Sequence, residues 1–111
     1  MAAGVNPDQA LAELIDVSAQ IEGAAILDAE GAVLASIGGV GDGAAALLRA
    51  ADEAARLLGR PAVAQCEVGL GDRLVFAVRE GDRAAVAVTG AEATAGLVFY
   101  DLRQALRGEA A

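Results

Sequence analysis

The sequence predicts an α+β domain in the order α-β-β-α-β-β-β-α, a five-stranded antiparallel sheet with helices on both faces. Three observations carry this. Three segments space their apolar residues at the 3.6-residue helical period. Five short runs between them are apolar or alternate with period two. Short turns bearing Gly or Asp join the runs, which makes neighbours antiparallel. At 111 residues the chain reads as a single domain spanning 1–111, with 1–5 and 108–111 expected to fray.

The first helix opens at Asn6-Pro7-Asp8-Gln9. Asn6 can cap, Pro7 suits the first position, and Gln9 can reach back as in a capping box. Ala10, Leu14, Val17 and Ile21 then form a stripe of roughly four turns, with Leu11 and Ser18 beside it. Two strands follow. Ala24 to Leu27 is an apolar run, Asp28-Ala29-Glu30-Gly31 turns the chain, and Ala32 to Ile37 is a second run, together a hairpin.

Gly38 to Gly43 is a connector, with Asp42 placed to cap the next helix. Ala44 to Leu58 is the strongest helical signal. Leu47, Ala51, Ala54 and Leu58 form its apolar stripe, widened by Leu48 and Ala55. Arg49, Asp52, Glu53 and Arg56 gather opposite, with Arg49–Glu53 and Asp52–Arg56 at the i,i+4 spacing of ion pairs. Gly59 and Pro61 stop the helix.

Three strands come next. Ala62 to Val68 alternates, and Leu74/Phe76/Val78 alternate with Val75/Ala77. Ala84 to Val88 is almost wholly apolar and reads as a central strand. Thr89 to Glu92 has capping-box spacing. Ala95, Phe99, Leu102 and Leu106 stripe the last helix, with Asp101, Arg103, Gln104 and Arg107 pointing away and Gly108 ending it.

Composition removes whole classes of chemistry. The chain has no His and one Cys, and all eight of its basic residues are Arg. No Ser–His or Cys–His pair and no imidazole metal site can form. Without Lys there is no phosphate-loop lysine. Cys66 has no internal disulfide partner. A net charge of −8 argues against nucleic acid or an anionic bilayer as partner. The longest charge-free run, Gly31 to Gly41, is too short to span a membrane. A cytoplasmic, non-enzymatic protein without cofactor or metal is the reading. Gly39-Val40-Gly41-Asp42-Gly43 departs from the dinucleotide fingerprint, and Asp42 would repel an anion, so it reads as a connector.

At this point the chain resembles the roadblock/dynein light chain family over nearly its whole length. Four passages carry the resemblance: Glu22 to Gly31 with Val33 to Ser36; the Ala/Leu helix from Ala44 to Leu58; Asp72 to Val78; and Ala84 to Val88 leading to Gly96-Leu97-Val98-Phe99. It implies a roadblock/longin/profilin-like fold. It also implies a non-catalytic dimer, a homodimer or a heterodimer with a relative, in which the strand at 62–68 is a sheet edge that pairs with its copy. The middle helix would pack near its own copy. The resemblance further implies a small Ras-like GTPase as partner, with GTP hydrolysis stimulated in some relatives, while other relatives scaffold signalling or motor assemblies.

The residues support the dimer on their own. Ala62 to Val68 has no Lys, no internal Pro and one charge, Glu67, so its open amides are unprotected. The expected self-interface is Leu47, Ala51, Leu58, Ala62, Val63, Ala64, Gln65, Cys66 and Glu67. The expected partner-binding face is Arg49, Asp52, Glu53 and Arg56. For stimulation of hydrolysis, Arg49 or Arg56 entering the GTPase site in trans is one mechanism. Reshaping of the GTPase switch loops is the preferred one. Cys66 reads as packing, with a redox sensor or a disulfide across the two-fold axis as the sharper alternatives. Tyr100 and Asp101 mark the rim of the last helix. Two alternatives of other classes are a small-ligand sensory domain and a purely structural scaffold subunit. A sensory pocket needs convergent polar groups, which the Ala-, Val- and Leu-rich faces do not supply.

Overall fold

Asn6 begins the first helix in the computed structural model, which describes residues 6–108. Its Oδ1 accepts the Gln9 N–H at 3.1 Å, and Pro7 holds the first position of α1, Pro7–Val17. The reciprocal arm of the expected capping box, Gln9 Oε1 accepting the Asn6 N–H, is not made; the Gln9 side chain turns along the helix and its Nε2 donates to Glu13. The helix is a turn shorter than its apolar stripe. Ser18 turns extended at the C-cap, Ile21 starts the first strand, and Val17 is 57% exposed.

The hairpin joins β1 (Ile21–Leu27) to β2 (Val33–Ile37). Asp28 builds its turn: Oδ1 accepts from the N–H groups of Glu30 and Ala32, both at 2.9 Å. Past β2 the chain makes a close approach that only glycine permits. Gly38 has φ +83°, and a Cβ there would stand 3.0 Å from the Gly23 Cα.

The middle helix, α2, is Gly41–Leu57 and starts ahead of the expected Ala44. Val40 is its N-cap without a side-chain bond, and Asp42 lies in the first turn rather than capping. Its buried face also differs from the expected stripe. Ala44, Ala45, Leu48 and Ala55 are buried, Leu47 and Ala51 are half-buried, and Ala54 and Leu58 are exposed. Asp52 sits on the inward side with Leu48 and Ala55, where Arg79 meets it. That contact fixes the rotation of the helix. At its end Gly59, at φ +70°, lets the Arg60 N–H reach Ala55 O at 2.9 Å.

The remaining strands are β3 (Gln65–Gly69), β4 (Arg73–Glu80) and β5 (Arg83–Gly90). The last helix, α3, is Ala95–Arg107. The capping box expected at Thr89 does not form. Thr89 lies fully buried in β5 and its hydroxyl donates to Gly90 O, while Thr94 takes the N-cap. The Thr94 N–H donates to Gln20 Oε1, which ties α3 to the start of β1. Gly108, at φ +76°, caps α3, and the rest of the two segments expected to fray lies outside the described residues.

All strand pairs are antiparallel, and the order across the sheet is β2-β1-β5-β4-β3. The apolar strand at 84–88 is central, as its sequence predicts. α1 and α3 cover one face and α2 the other, which gives two cores. Leu11, Leu14, Ile26, Phe76, Val98 and Leu102 fill the first. Phe76 and Phe99 meet edge to face there, with ring centroids 5.2 Å apart. The second core is thinner, built from Ala25, Leu27, Ala44, Leu48, Ala77 and Val86. Among the described residues, no helix is long and apolar enough to cross a membrane.

Candidate interaction surface

The sheet has two edges, and β3 is one of them. The strand begins at Gln65, three residues later than the expected Ala62. Ahead of it, side chains from α2 and β4 hold Val63. Asp52 Oδ1 accepts the Val63 N–H at 3.0 Å, and Arg79 Nη1 donates to Val63 O at 2.7 Å. Those two side chains occupy the Val63 amide groups, so no neighbouring strand can use them. Ala62 and Ala64 are exposed and Val63 is half-buried.

From Gln65 onward the bonding parity is clear. The Arg79 N–H donates to Ala64 O, and the Leu70 N–H donates to Arg73 O. Residues directly opposite one another exchange bonds at every second position of an antiparallel pair. The even-numbered residues from 64 to 70 therefore face β4. Gln65, Glu67 and Gly69 direct their backbone N–H and C=O groups out of the sheet. Glu67 is the one charged side chain of the strand.

Cys66 is half-buried against the α2-side core. Burial pushes its thiol pKa up; the Arg79 charge pulls it down, and Asp52 pushes it up again. On the opposite face of β3, Arg103 donates to Gln65 Oε1 and pairs with Glu80. Its guanidinium lies 6.0 Å from the Phe99 ring centroid. The sequence pattern has Arg103 pointing away from the core; the structure half-buries it.

The charged face of α2 divides. Arg49, Glu53 and Arg56 are exposed. The expected pairs Arg49–Glu53 and Asp52–Arg56 are not the ones made. Arg56 Nη2 binds Glu53 Oε2 at 2.6 Å, an i,i+3 contact, and holds the Glu53 carboxyl below its usual range. Asp52 turns inward to Arg79, contacted at 3.0 Å by both Nη1 and Nη2. Hydrogen bonding from Arg79 holds the Asp52 carboxyl below its ordinary pKa, burial acting against it and the Val63 N–H with it. Asp52 thus serves the protomer's own structure. Arg49 makes no ion pair among the described residues.

An apolar groove of about 490 Å³ lies between α2 and the β3-β4-β5 side of the sheet. Leu47 and Val40 line one wall, and Val68, Leu70, Val75, Val86 and Val88 the other. No charged or hydroxyl side chain faces into it. Tyr100, on α3, is 59% exposed and stands apart from this groove. Among the described residues no cluster of His, Cys, Asp or Glu could hold a metal.

Sequence reasoning missed Arg79 and the groove lining. A signal for Arg79 existed. It shares strand parity with Val75 and Ala77, which places it on the α2 side. Leu70 sits in a turn, where no periodicity marks it.

This layering, three helices on two faces of a sheet with β3 at one edge, is a known architecture. No family model matches the chain, and no curated protein matches it significantly by sequence. Solved structures do match. A Roadblock/LC7 domain from Streptomyces avermitilis is 21% identical with a TM-score of 0.77, covering 94% of each chain. A gliding protein, MglB, from Thermus thermophilus is 18% identical with a TM-score of 0.70, covering 99% of this chain and 92% of its own. An MglB described in a tetrameric arrangement is 18% identical with a TM-score of 0.71, covering 99% and 91%. The chain has the roadblock/LC7 fold, as the resemblance read from its sequence implies.

Proposed function

We propose that the chain is a non-catalytic, cytoplasmic adaptor that pairs with a copy of itself through β3 and α2 and binds a small Ras-like GTPase. The observation that carries the self-pairing is the β3 edge. Three residues turn their amides outward, and only Glu67 brings charge to the strand. An edge of this kind is a template for another strand. The tetrameric arrangement of the similar MglB supports self-association of the fold. Leu47, Ala51, Leu58, Gln65, Cys66 and Glu67 belong to this interface; Ala62 to Ala64 border it.

The GTPase partner is drawn from the roadblock resemblance together with the exposed face of α2. Arg49, Glu53 and Arg56 form the docking stripe there, and Asp52 positions it from beneath. The preferred action is on the GTPase switch loops. Light scattering after size exclusion tests the dimer: a monomer at micromolar concentration refutes it. Co-elution with purified Ras-like GTPases, loaded with GDP or a GTP analogue, tests the partner. Absence of complex across such a panel from the same organism refutes the GTPase reading.

The groove favours one second reading, an apolar ligand and hence a sensory domain. Its lining lacks the polar groups that orient a metabolite. A strong, saturable thermal shift with an apolar ligand, such as a medium-chain fatty acid, would decide for that reading.

A further inference from the structure

The other edge of the sheet is β2, and no strand among the described residues pairs with its outer side. The bonding alternation seen at β3 runs on through the sheet. Odd-numbered residues of β4 bond to β3 and even-numbered ones to β5. Carried across β5, the alternation bonds Ala24 and Ile26 of β1 to Ile37 and Ala35 of β2. The Asp28 N–H, which donates to Ala32 O at 2.9 Å, keeps the same parity on β1. Ser36 therefore turns its N–H and C=O out of the sheet. Leu34 is the extra residue of a bulge, since Ile26 faces Ala35 while Leu27 faces Val33.

This edge is apolar: Val33, Leu34 and Ile37 are 39%, 38% and 37% exposed. Its surroundings are acidic. Residues 6–48 hold seven carboxylates and no basic residue, and all eight arginines come later in the chain. Asp28 and Glu30 lie in the turn at the start of the strand. Asp42 stands in the first turn of α2, where a Cβ on Gly41 would sit 3.4 Å from Ser36 Oγ. α1, with Asp8, Glu13 and Asp16, packs on β2 from the opposite face. An open strand edge is completed by another strand, and charge decides whose. A second copy's β2 would bring the same carboxylates against these, and its β3 would bring Glu67, so this chain's own edges are repelled. The bulge shortens the backbone pairing and leaves selection to side chains: apolar ones against Val33, Leu34 and Ile37, cationic ones toward the acidic rim.

We propose that the β2 edge is a docking site for an extended, arginine- or lysine-rich segment of another protein, which adds as a strand beside Ser36. The site lies at the opposite edge of the sheet from β3. It is independent of self-pairing there, and both edges can be occupied at once.

The probe is a fluorescein-labelled octapeptide of alternating Arg and Val, titrated with the full chain and followed by anisotropy. A control peptide keeps every Arg and replaces the central Val residues with Pro, which forbids strand pairing. The alternating peptide should bind about tenfold more tightly than the control. Raising NaCl from about 50 to about 500 mM should weaken it at least tenfold. Two variants, each checked by circular dichroism, should weaken it by about tenfold or more: Glu30→Arg with Asp42→Arg, and Ser36→Pro, whose lost N–H serves no bond within the protomer. At saturation, hydrogen exchange of the Ser36 N–H should slow. Equal affinity for the two peptides, or binding unmoved in either folded variant, marks unspecific attraction to an acidic surface and overturns the site. So does a Ser36 N–H whose exchange is unchanged, or no binding at about 1 mM peptide.

Discussion

Asp52 on α2 and Arg79 on β4 are joined by two bonds of 3.0 Å each, across 27 residues of sequence. Both also bind Val63, so one carboxylate and one guanidinium tie together the helix, the edge strand's approach and the sheet. Asp52→Ala should cost about 1–2 kcal/mol, a value kept low because the pair is partly exposed to solvent. Urea denaturation measures it. An unchanged midpoint would show that the contact contributes nothing.

The same contact sets an acid dependence. The folded Asp52 carboxyl lies below its ordinary value, chiefly through hydrogen bonds from Arg79. Its contribution is therefore complete above the unfolded-state pKa, near roughly 4. It is lost as pH falls through the lower folded value. The wild type should lose more stability than Asp52→Asn between about pH 5 and pH 2. Parallel denaturation curves for the two proteins across that range would contradict this.

Glu67→Pro addresses the edge. The Glu67 N–H points out of the sheet and makes no bond to β4, so a proline there removes no bond within the protomer. Proline on an edge blocks pairing with another strand. The variant should be monomeric by light scattering, with thermal stability below the wild type because the dimer's contribution is gone. A dimer retained in this variant would move the seam away from β3.

Cys66 offers a chemical readout. Burial first, with Asp52 adding to it, raises its thiol pKa, so little thiolate exists near neutrality. Its reaction with a disulfide reagent at pH 7 should be slower than that of a free thiol and should accelerate as pH rises. Monomeric Glu67→Pro should react faster. Equal rates in the two proteins would place Cys66 outside the interface.

Arg49 and Arg56 separate two ways of acting on a GTPase. Arg56 is engaged by Glu53 at 2.6 Å, whereas Arg49 has no ion-pair partner among the described residues. Under switch-loop reshaping, Arg49→Ala and Arg56→Ala should weaken binding by severalfold and leave saturated hydrolysis nearly unchanged. A loss of about 10³-fold in hydrolysis with binding intact would mark an arginine acting in trans.

The chain's order of elements was legible because each carries its own punctuation. Asn6-Pro7, Asp28 to Gly31, Gly59-Arg60-Pro61 and the apolar run at 84–88 all mark local events that local chemistry decides. The rotation of α2 was not legible. Alanine fits an inward or an outward position equally, so Ala44, Ala51 and Ala54 could not orient the helix. Asp52 looked like a surface charge because its partner lies 27 residues downstream. The start of β3 was not legible either, since no sequence rule reveals that Val63 spends its amide groups on the Asp52 and Arg79 side chains. The groove was invisible for a related reason: its walls come from a helix and strands far apart in the sequence, and no periodicity in its lining brings them together.

Alanines 24, 25, 77, 84, 85 and 87 are all 2% exposed or less and form the middle of the sheet on both sides. They set the thickness of the slab. Their side chains end one carbon from the backbone, so the flanking helices ride low over the central strands. Replacing one by Val or Leu would add grease yet pry the layers apart, at roughly 1–3 kcal/mol each. What sequence drift must conserve here is spacing rather than oiliness, and a ruler of that kind can persist after most other letters have changed.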